Sequence, residues 1–458
     1  MGAGAAQERA AREELRRRAR QEAARLTAEG VHAVALSWVD TSGVARVKAV
    51  PTGRLAHAAR HGVGASPVFD VFTSDDAIAA SPLSGGPDGD LRLVPDLDRL
   101  TVLAAQPGWA WAPADRQDQS GAPHPGCARH FLRRMTATAR DSGFEPRMGY
   151  ETEWVVCRPG DDEPPVAAGS GPAYGMTRLV ELSDYLRDVV TALRDQELEV
   201  LQIHPEYSPG QFEVSTAPAD PLRAADELLV VRETIRAVTL RHGLRATFAP
   251  TVVAGGVGNG CHLHLSLRQD EQDLFRGGHG PQGLTETAEG FLAGILDELP
   301  ALLAVGAPSP ASYLRLAPSV WAGAYHCWGL ENREAALRLI PGPPDESGSA
   351  NAEVKCFDAA ANPYLLAGAV LAAGLAGAEA KRTLPAPVQG DPAVVAPDTP
   401  RLPRSLTQAA DRFAASEVLR AALGETLHGA VLAVRRAEAE SLDGRDPEAV
   451  AAATRWRY

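Results

Sequence analysis

Apolar and polar positions alternate along residues 31–51, VHAVALSWVDTSGVARVKAVP, in two short runs separated by Asp40-Thr41-Ser42-Gly43. A period of two on either side of such a tetrad predicts a β-hairpin. Ahead of it, residues 5–28 are rich in Ala, Arg and Glu and end at Gly30, which predicts a helix within 1–30. LRLVPDLDRLTVLAAQPGWAWAP adds further strands, so 31–110 is expected to be a small mixed α+β unit. Pro113–Gly126 is polar and rich in Gly and Pro, which reads as a linker.

From Cys127 the period changes. CARHFLRRMTATARDSG, LVELSDYLRDVVTALRDQ and AADELLVVRETIRAVTLRHG carry helical patterns. They alternate with short strand patterns: MGYETEWVV, LEVLQIHPEYS, QFEVSTA, CHLHLSL, EAALRLI and AEVKCFD. This interleaving predicts a larger catalytic unit over 113–458. YLLAGAVLAAGLAGA is shorter than the roughly 20 residues of a bilayer span and reads as a closely packed buried helix. The proline-rich stretch 379–405 reads as a loop, and helices near 410–423 and 427–440 are expected to close the chain.

Composition narrows the function. Against 45 Lys plus Arg stand 58 Asp plus Glu in 458 residues, a formal net charge of −13. Nucleic acid and anionic membrane surfaces both call for a cationic face, so neither is an expected partner. Five cysteines without a C-x-x-C spacing, and an N-terminus charged from Glu8 onward with no apolar run, fit a reducing, cytoplasmic location.

The chemistry is written in residues two apart on predicted strands, which share a face. Glu151 and Glu153 flank Thr152, His262 and His264 flank Leu263, and Glu353 precedes Lys355 by two. Glu206 and Glu213 lie on either side of a Pro209-Gly210 bend. Carboxylates gathered on one buried face repel each other and resist desolvation, and divalent cations remove that cost. Oxygen ligands with an imidazole suit Mg²⁺ or Mn²⁺ better than structural Zn²⁺. Two such cations facing Arg315, Arg333, Arg338 and Lys355 would equip a site for phosphoryl transfer. Taken singly, each pair is better explained as a solvated strand face, and spacing alone leaves both readings open. No Walker A loop, Rossmann glycine pattern or G-x-S-x-G occurs.

Taken together and in order, VDTSGVARVKAVP, DLRLVPDLDRL, YETEW, HPEYSPGQFEV, GNGCHLHLSL, SYLRL, ENREAALR and EVKCFDAAANPYLLAGAVLAAGL resemble the glutamine synthetase superfamily along nearly the whole chain. The resemblance implies an α+β fold: a small N-terminal β-grasp domain over 31–110, then a catalytic domain whose curved antiparallel sheet forms a funnel flanked by helices. It implies that Glu153, Glu206 and Glu213 hold a first cation, and Glu151, His262 and Glu353 a second, beside ATP. His264 and Ser266 match positions near the nucleotide, Arg315 the clamp on the glutamate α-carboxylate, and Gly258 a backbone contact to the glutamate amino group. Arg333 and Arg338 match the phosphate-side arginines. A homo-oligomer follows too, commonly two stacked hexameric rings with active sites between subunits.

Three departures bear on the substrate. Six residues after Arg315, where the family's ammonium enzymes carry a glutamate, stands Trp321. Lys355 replaces a usual arginine, and Val257 a frequent asparagine, in the acid-substrate pocket. In the diverged segment PVFDVF, Asp70 is a candidate for the acid that the family's β-grasp domain lends to ammonium binding. Trp321 cannot hold ammonium through a carboxylate, but it can wall a larger amine. The expected function is therefore an ATP-dependent ligase joining glutamate to a primary amine such as a polyamine or ethanolamine, through γ-glutamyl phosphate. The alternatives are an ammonium-using glutamine synthetase and a non-catalytic superfamily member.

Overall fold

The computed structural model describes residues 2–82, 85–160, 163–343, 345–346 and 348–458, with side chains from residue 13 onward. The N-terminal helix runs Gly2–Ala28. Its Leu15, Ala19, Ala23 and Leu26 pack on a six-stranded sheet. That sheet is built from β1 (Ala33–Val39), β2 (Ala45–Pro51), β3 (Val63–Ala65), β4 (Leu91–Pro95), β5 (Thr101–Val102) and β6 (Trp109–Gln117), in the order β2-β1-β6-β4-β3 with β5 on β6. β1 and β2 form the expected antiparallel hairpin, with Val39 opposite Ala45.

The expected boundary at 110–113 falls inside β6. Its residues 114–117 pair with 92–95 of β4. Pro113 lacks an N–H but still accepts a hydrogen bond from Asp96, so a proline that punctuates the sequence does not end the strand.

The second sheet has nine strands. They are β7 (Glu145–Cys157), β8 (Val200–Pro205), β9 (Gln211–Thr216), β10 (Arg245–Thr247), β11 (Cys261–Gln269), β12 (Gln272–Asp273), β13 (Tyr325–Leu330), β14 (Ala335–Ile340) and β15 (Asn351–Val354). The order is β13-β14-β15-β11-β7-β9-β8, with β10 on β7 and β12 on β11. The sheet curls as a half-barrel with helices around it. It is the expected curved antiparallel sheet, with one parallel pair, β13 and β14, at its edge.

Behind the sheet lies the apolar helix Pro363–Glu379, buried over most of its length. It packs on Glu286–Gly306, a helix without a hydrophobic period that sequence reasoning did not single out. The closing helices differ from expectation as well, running Leu406–Ala415 and Glu417–Ser441. Ser405 and Ser416 cap their N-termini, accepting from the Gln408 and Leu419 N–H groups, so the break falls at 416. The gap expected after 423 is only a local interruption at Gly424, whose φ is 76°.

The two units interlock through motifs that the sequence places far apart. Asn362 Nδ2 donates to the carbonyls of Val39 and Asp40 at 3.2 and 3.0 Å. Gly43, at φ 94°, closes the hairpin against Ala360, and a Cβ there would lie 1.9 Å from the Ala360 carbonyl oxygen. All five cysteines are buried and free. No helix among the described residues is long and apolar enough to cross a membrane.

Candidate active site

One stripe of charge crosses the curled sheet. Arg338 of β14 stands opposite Glu353 of β15, and Glu353 opposite His264 of β11. His262 stands opposite Glu151 of β7, Glu153 opposite Glu213 of β9, and Glu213 opposite His204 of β8. Directly opposed residues share a face, as do residues two apart, so the ladder register alone puts these side chains on one face. Glu206, just past the end of β8, joins them through His204, whose Nδ1 is 3.3 Å from its carboxylate.

Atoms that could hold a metal ion gather in two trios: Glu151, His264 and Glu353, and His204, Glu206 and Glu213. Within each, all lie within 4.8 Å of one another. The pairing expected from sequence differs by one exchange in each trio. His262 sits between the groups, with Nδ1 3.2 Å from both Glu151 and Glu353 and Nε2 3.8 Å from Glu153. Glu153 is fixed by Gln211 Nε2 at 3.0 Å and the Gly260 N–H at 2.9 Å. His204 went unnoticed in the sequence, although it stands two residues before Glu206. Gly260, in the glycine-rich segment 256–260, matters for its lack of a side chain: a Cβ there would lie 2.4 Å from His262 Nε2 and 3.1 Å from Glu153 Oε1.

Burial pushes the carboxyls of Glu153, Glu206 and Glu213 above their ordinary range. Burial also opposes ionisation of Glu353, but Lys355 and His262 outweigh it and hold the group well below. Glu151 is held low in the same way by hydrogen bonding to His262. Hydrogen bonding to Glu213 pushes His204 up to about 9. Burial and Lys355 work against protonation of His262, yet Glu151 and Glu353 carry it up to about 9.

The basic residues divide by surroundings. Arg338 Nη1 and Lys355 Nζ each lie 3.0 Å from Glu353. Arg315 is buried, donates to the Phe357 carbonyl at 2.9 Å, and leaves Nε without a partner. Its stem packs on Gly258, where a Cβ would lie 2.6 Å from Arg315 Cγ. Arg333 is exposed and makes no ion pair or hydrogen bond among the described residues. Val257 is exposed and accepts a hydrogen bond from Ser208 at 3.2 Å. Ser266 is half-buried, opposite Arg147. Asp70 is not at the stripe: Arg116 and His124 take up its carboxylate.

An aromatic row leads outward from the second trio. Tyr174 stacks on His204 with ring centroids 5.2 Å apart, and its hydroxyl donates to Glu206. Tyr207 meets Tyr174 edge-on at 5.4 Å, and Trp321 lies 5.3 Å from Tyr207. Trp321 is 51% exposed. It has φ 57° and Ser319 has φ 58°, a left-handed conformation that costs a non-glycine residue about 1–3 kcal/mol. Neither tyrosine was singled out in the sequence; Tyr207 adjoins Glu206, whereas Tyr174 lies in a Gly- and Pro-rich loop with no period to mark it.

A family model for the glutamine synthetase catalytic domain matches residues 125–450. The chain belongs to the glutamine synthetase family. It is 54% identical over 443 residues to the gamma-glutamylpolyamine synthetase of Streptomyces coelicolor, covering 94% of this chain and 95% of that protein. It is 31% identical to the glutamine synthetase of Methanocaldococcus jannaschii, over 81% of this chain and 84% of that one. Among solved structures, a glutamine synthase homologue superposes with a TM-score of 0.84 at 33% identity, covering 93% of this chain and 99% of the other. This glutamine synthetase-family chain is a carbon–nitrogen ligase, and ligases of the family use ATP and divalent cations. Its donor set fits hard cations: clustered buried carboxylates, imidazoles, and a His264 Nε2 that is buried 3.3 Å from Glu151 without a hydrogen bond.

Proposed function

We propose that this glutamine synthetase-family ligase joins glutamate to a long-chain primary amine of the polyamine class, at the expense of ATP. The aromatic row from His204 through Tyr174 and Tyr207 to Trp321 carries this reading. A protonated amine on an alkyl stem is attracted to ring faces by cation–π forces and packs its methylenes on the same rings. Ammonium needs no such wall, and Trp321 offers it no carboxylate. The name of the Streptomyces coelicolor relative supports the same substrate class.

Arg315 would take the glutamate α-carboxylate, with Gly258 admitting its stem and the backbone there facing the amino group. Arg338 would neutralise phosphate charge, and Arg333, without an ion-pair partner, is free to turn inward to a phosphate. Lys355 contributes a point charge rather than a fork, so it grips an acid less directionally than arginine does. The γ-carboxylate oxygen attacks the γ-phosphorus of ATP, ADP leaves, and γ-glutamyl phosphate forms. The amine nitrogen then attacks the acyl carbon, phosphate leaves, and the nitrogen loses a proton. Glu151, His264, Glu353 and His262, with Glu153, Glu206, Glu213 and His204, would hold Mg²⁺ or Mn²⁺, which neutralises phosphate charge when bound. His264 and Ser266 would face the nucleotide. The family pattern supports a homo-oligomeric ring of two stacked hexamers, working in the cytoplasm.

Phosphate release from ATP, dependent on glutamate and followed across ammonium, ethanolamine and linear diamines, tests this reading. A higher kcat/KM with a diamine than with ammonium is expected. A higher value with ammonium than with every amine would make the chain an ordinary glutamine synthetase.

A further inference from the structure

The backbone that carries Trp321 is fixed independently of its ring contact with Tyr207. The loop carrying it contains two non-glycine residues in the left-handed region, Ser319 at φ 58° and Trp321 at φ 57°. Such a pair persists only where its surroundings over-determine it. What pins the loop is one buried carboxylate. The Ser319 N–H donates to Glu334 Oε1 at 2.8 Å, and the Trp321 N–H donates to Glu334 Oε2 at 2.7 Å. Glu334 is 4% exposed and makes no salt bridge among the described residues.

The carboxylate is itself held. The Glu334 backbone N–H donates to Asn332 Oδ1 at 3.0 Å, while Asn332 Nδ2 donates to the carbonyls of Val388 and Gly390 at 2.8 and 3.0 Å. The chain then returns through Asp391, whose carboxylate accepts the Ser319 hydroxyl at 2.7 Å. Three segments, 319–321, 332–334 and 388–391, are thus joined by hydrogen bonds that converge on the Trp321 backbone. None of these contacts touches the cation trios.

We infer that Glu334 is a positioning residue for the amine: by accepting both strained N–H groups it sets Trp321 against Tyr207 and so sets which amines the site takes. The inference rests on Trp321 walling the amine, as proposed above. A charged acceptor serving two N–H groups at once is suited to the task, because each charge-assisted bond is about twice as strong as a neutral one. Glutamine at this position retains one acceptor oxygen and sets an NH₂ donor against the other N–H. Alanine retains neither bond.

Steady-state kinetics with 1,4-diaminobutane, ATP and glutamate varied in turn test the inference in wild type, Trp321→Ala, Glu334→Gln and Glu334→Ala. Losing both bonds is expected to raise the KM for 1,4-diaminobutane about tenfold or more in Glu334→Ala. Glu334→Gln should fall between Glu334→Ala and wild type. The KM values for ATP and glutamate should stay within about twofold of wild type, a split that general damage to the fold would not produce. Should Glu334→Ala fail to fold, the nearly isosteric Glu334→Gln carries the comparison alone. A diamine KM at the wild-type value in the Glu334 variants, or equal rises in all three KM values, would overturn the assignment. If Trp321→Ala raises the diamine KM and the Glu334 variants do not, only the role of Glu334 is lost. If Trp321→Ala leaves it unchanged, the amine wall itself is wrong.

Discussion

Glu153 and Glu213 stand directly opposite each other on β7 and β9, both buried and both with carboxyls pushed above their ordinary range by burial. Like charges in opposed sheet positions are unfavourable, and a cation between such groups reverses the sign of the interaction. Mg²⁺ or Mn²⁺ is therefore expected to raise the Tm of this protein, by the equivalent of about 2.7 kcal/mol at a hundredfold excess over Kd. In Glu213→Gln the same addition should raise Tm by clearly less. Thermal melts with and without the cation check this, and equal shifts in both proteins would contradict it.

Gly260 is needed for lack of a side chain rather than for an unusual backbone angle. The Gly260→Ala methyl would lie within 2.4 Å of His262 Nε2 and must displace it or Glu153. Displacements of about 1 Å at a reacting centre cost on the order of a hundredfold in rate. A loss of about that size in kcat/KM, with Tm changed little, is the expected result. Near-wild-type activity would mean that His262 need not be where the structure has it.

How much of this site could be read from the chain depends on the range of each contact. The pairs Glu151/Glu153 and His262/His264 were visible because period two fixes a shared face without knowledge of neighbours. His204 and Gly260 matter only through register, by facing Glu213 across β8–β9 and by crowding His262, and no local pattern encodes that. Tyr174 reaches Glu206 from an irregular loop, and Glu334 reads locally as one charge in ENREAALR. The helix Glu286–Gly306 escaped notice because it is apolar on nearly every side, so it lacks the period by which surface helices are recognised.

Arg129 joins the two units through buried charge. It donates to Asp96 at 2.7 Å and Asp115 at 2.9 Å near the first sheet, and to Asp226 at 2.8 and 2.9 Å on the helix Pro221–Arg241. Asp226 is fully buried, and removing one partner of such a pair typically costs about 3–5 kcal/mol. Arg129→Ala is expected to lose stability on that scale in urea denaturation. An unchanged midpoint would show that Arg99, 3.4 Å from Asp226, and the Tyr364 hydroxyl, which donates to it at 2.7 Å, suffice to hold Asp226.

Asp70 gives a prediction in pH. Burial opposes its ionisation, but Arg116 and His124 outweigh burial and hold the carboxyl below its ordinary 3.8. A group depressed on folding stabilises the protein fully above its unfolded value and progressively less as pH falls through its folded value. Asp70→Asn should thus be less stable than wild type at pH 7, with the gap narrowing below pH 3.8. Denaturation midpoints at a series of pH values check this, and a gap that widened on acidification would contradict it.

The account turns on which nitrogen the site accepts. A single competition measures it: ATP, Mg²⁺ and glutamate with equal concentrations of ammonium and 1,4-diaminobutane, and products separated by mass. The γ-glutamyl amide of the diamine should dominate the mixture. Glutamine as the main product would contradict the aromatic row as an amine site.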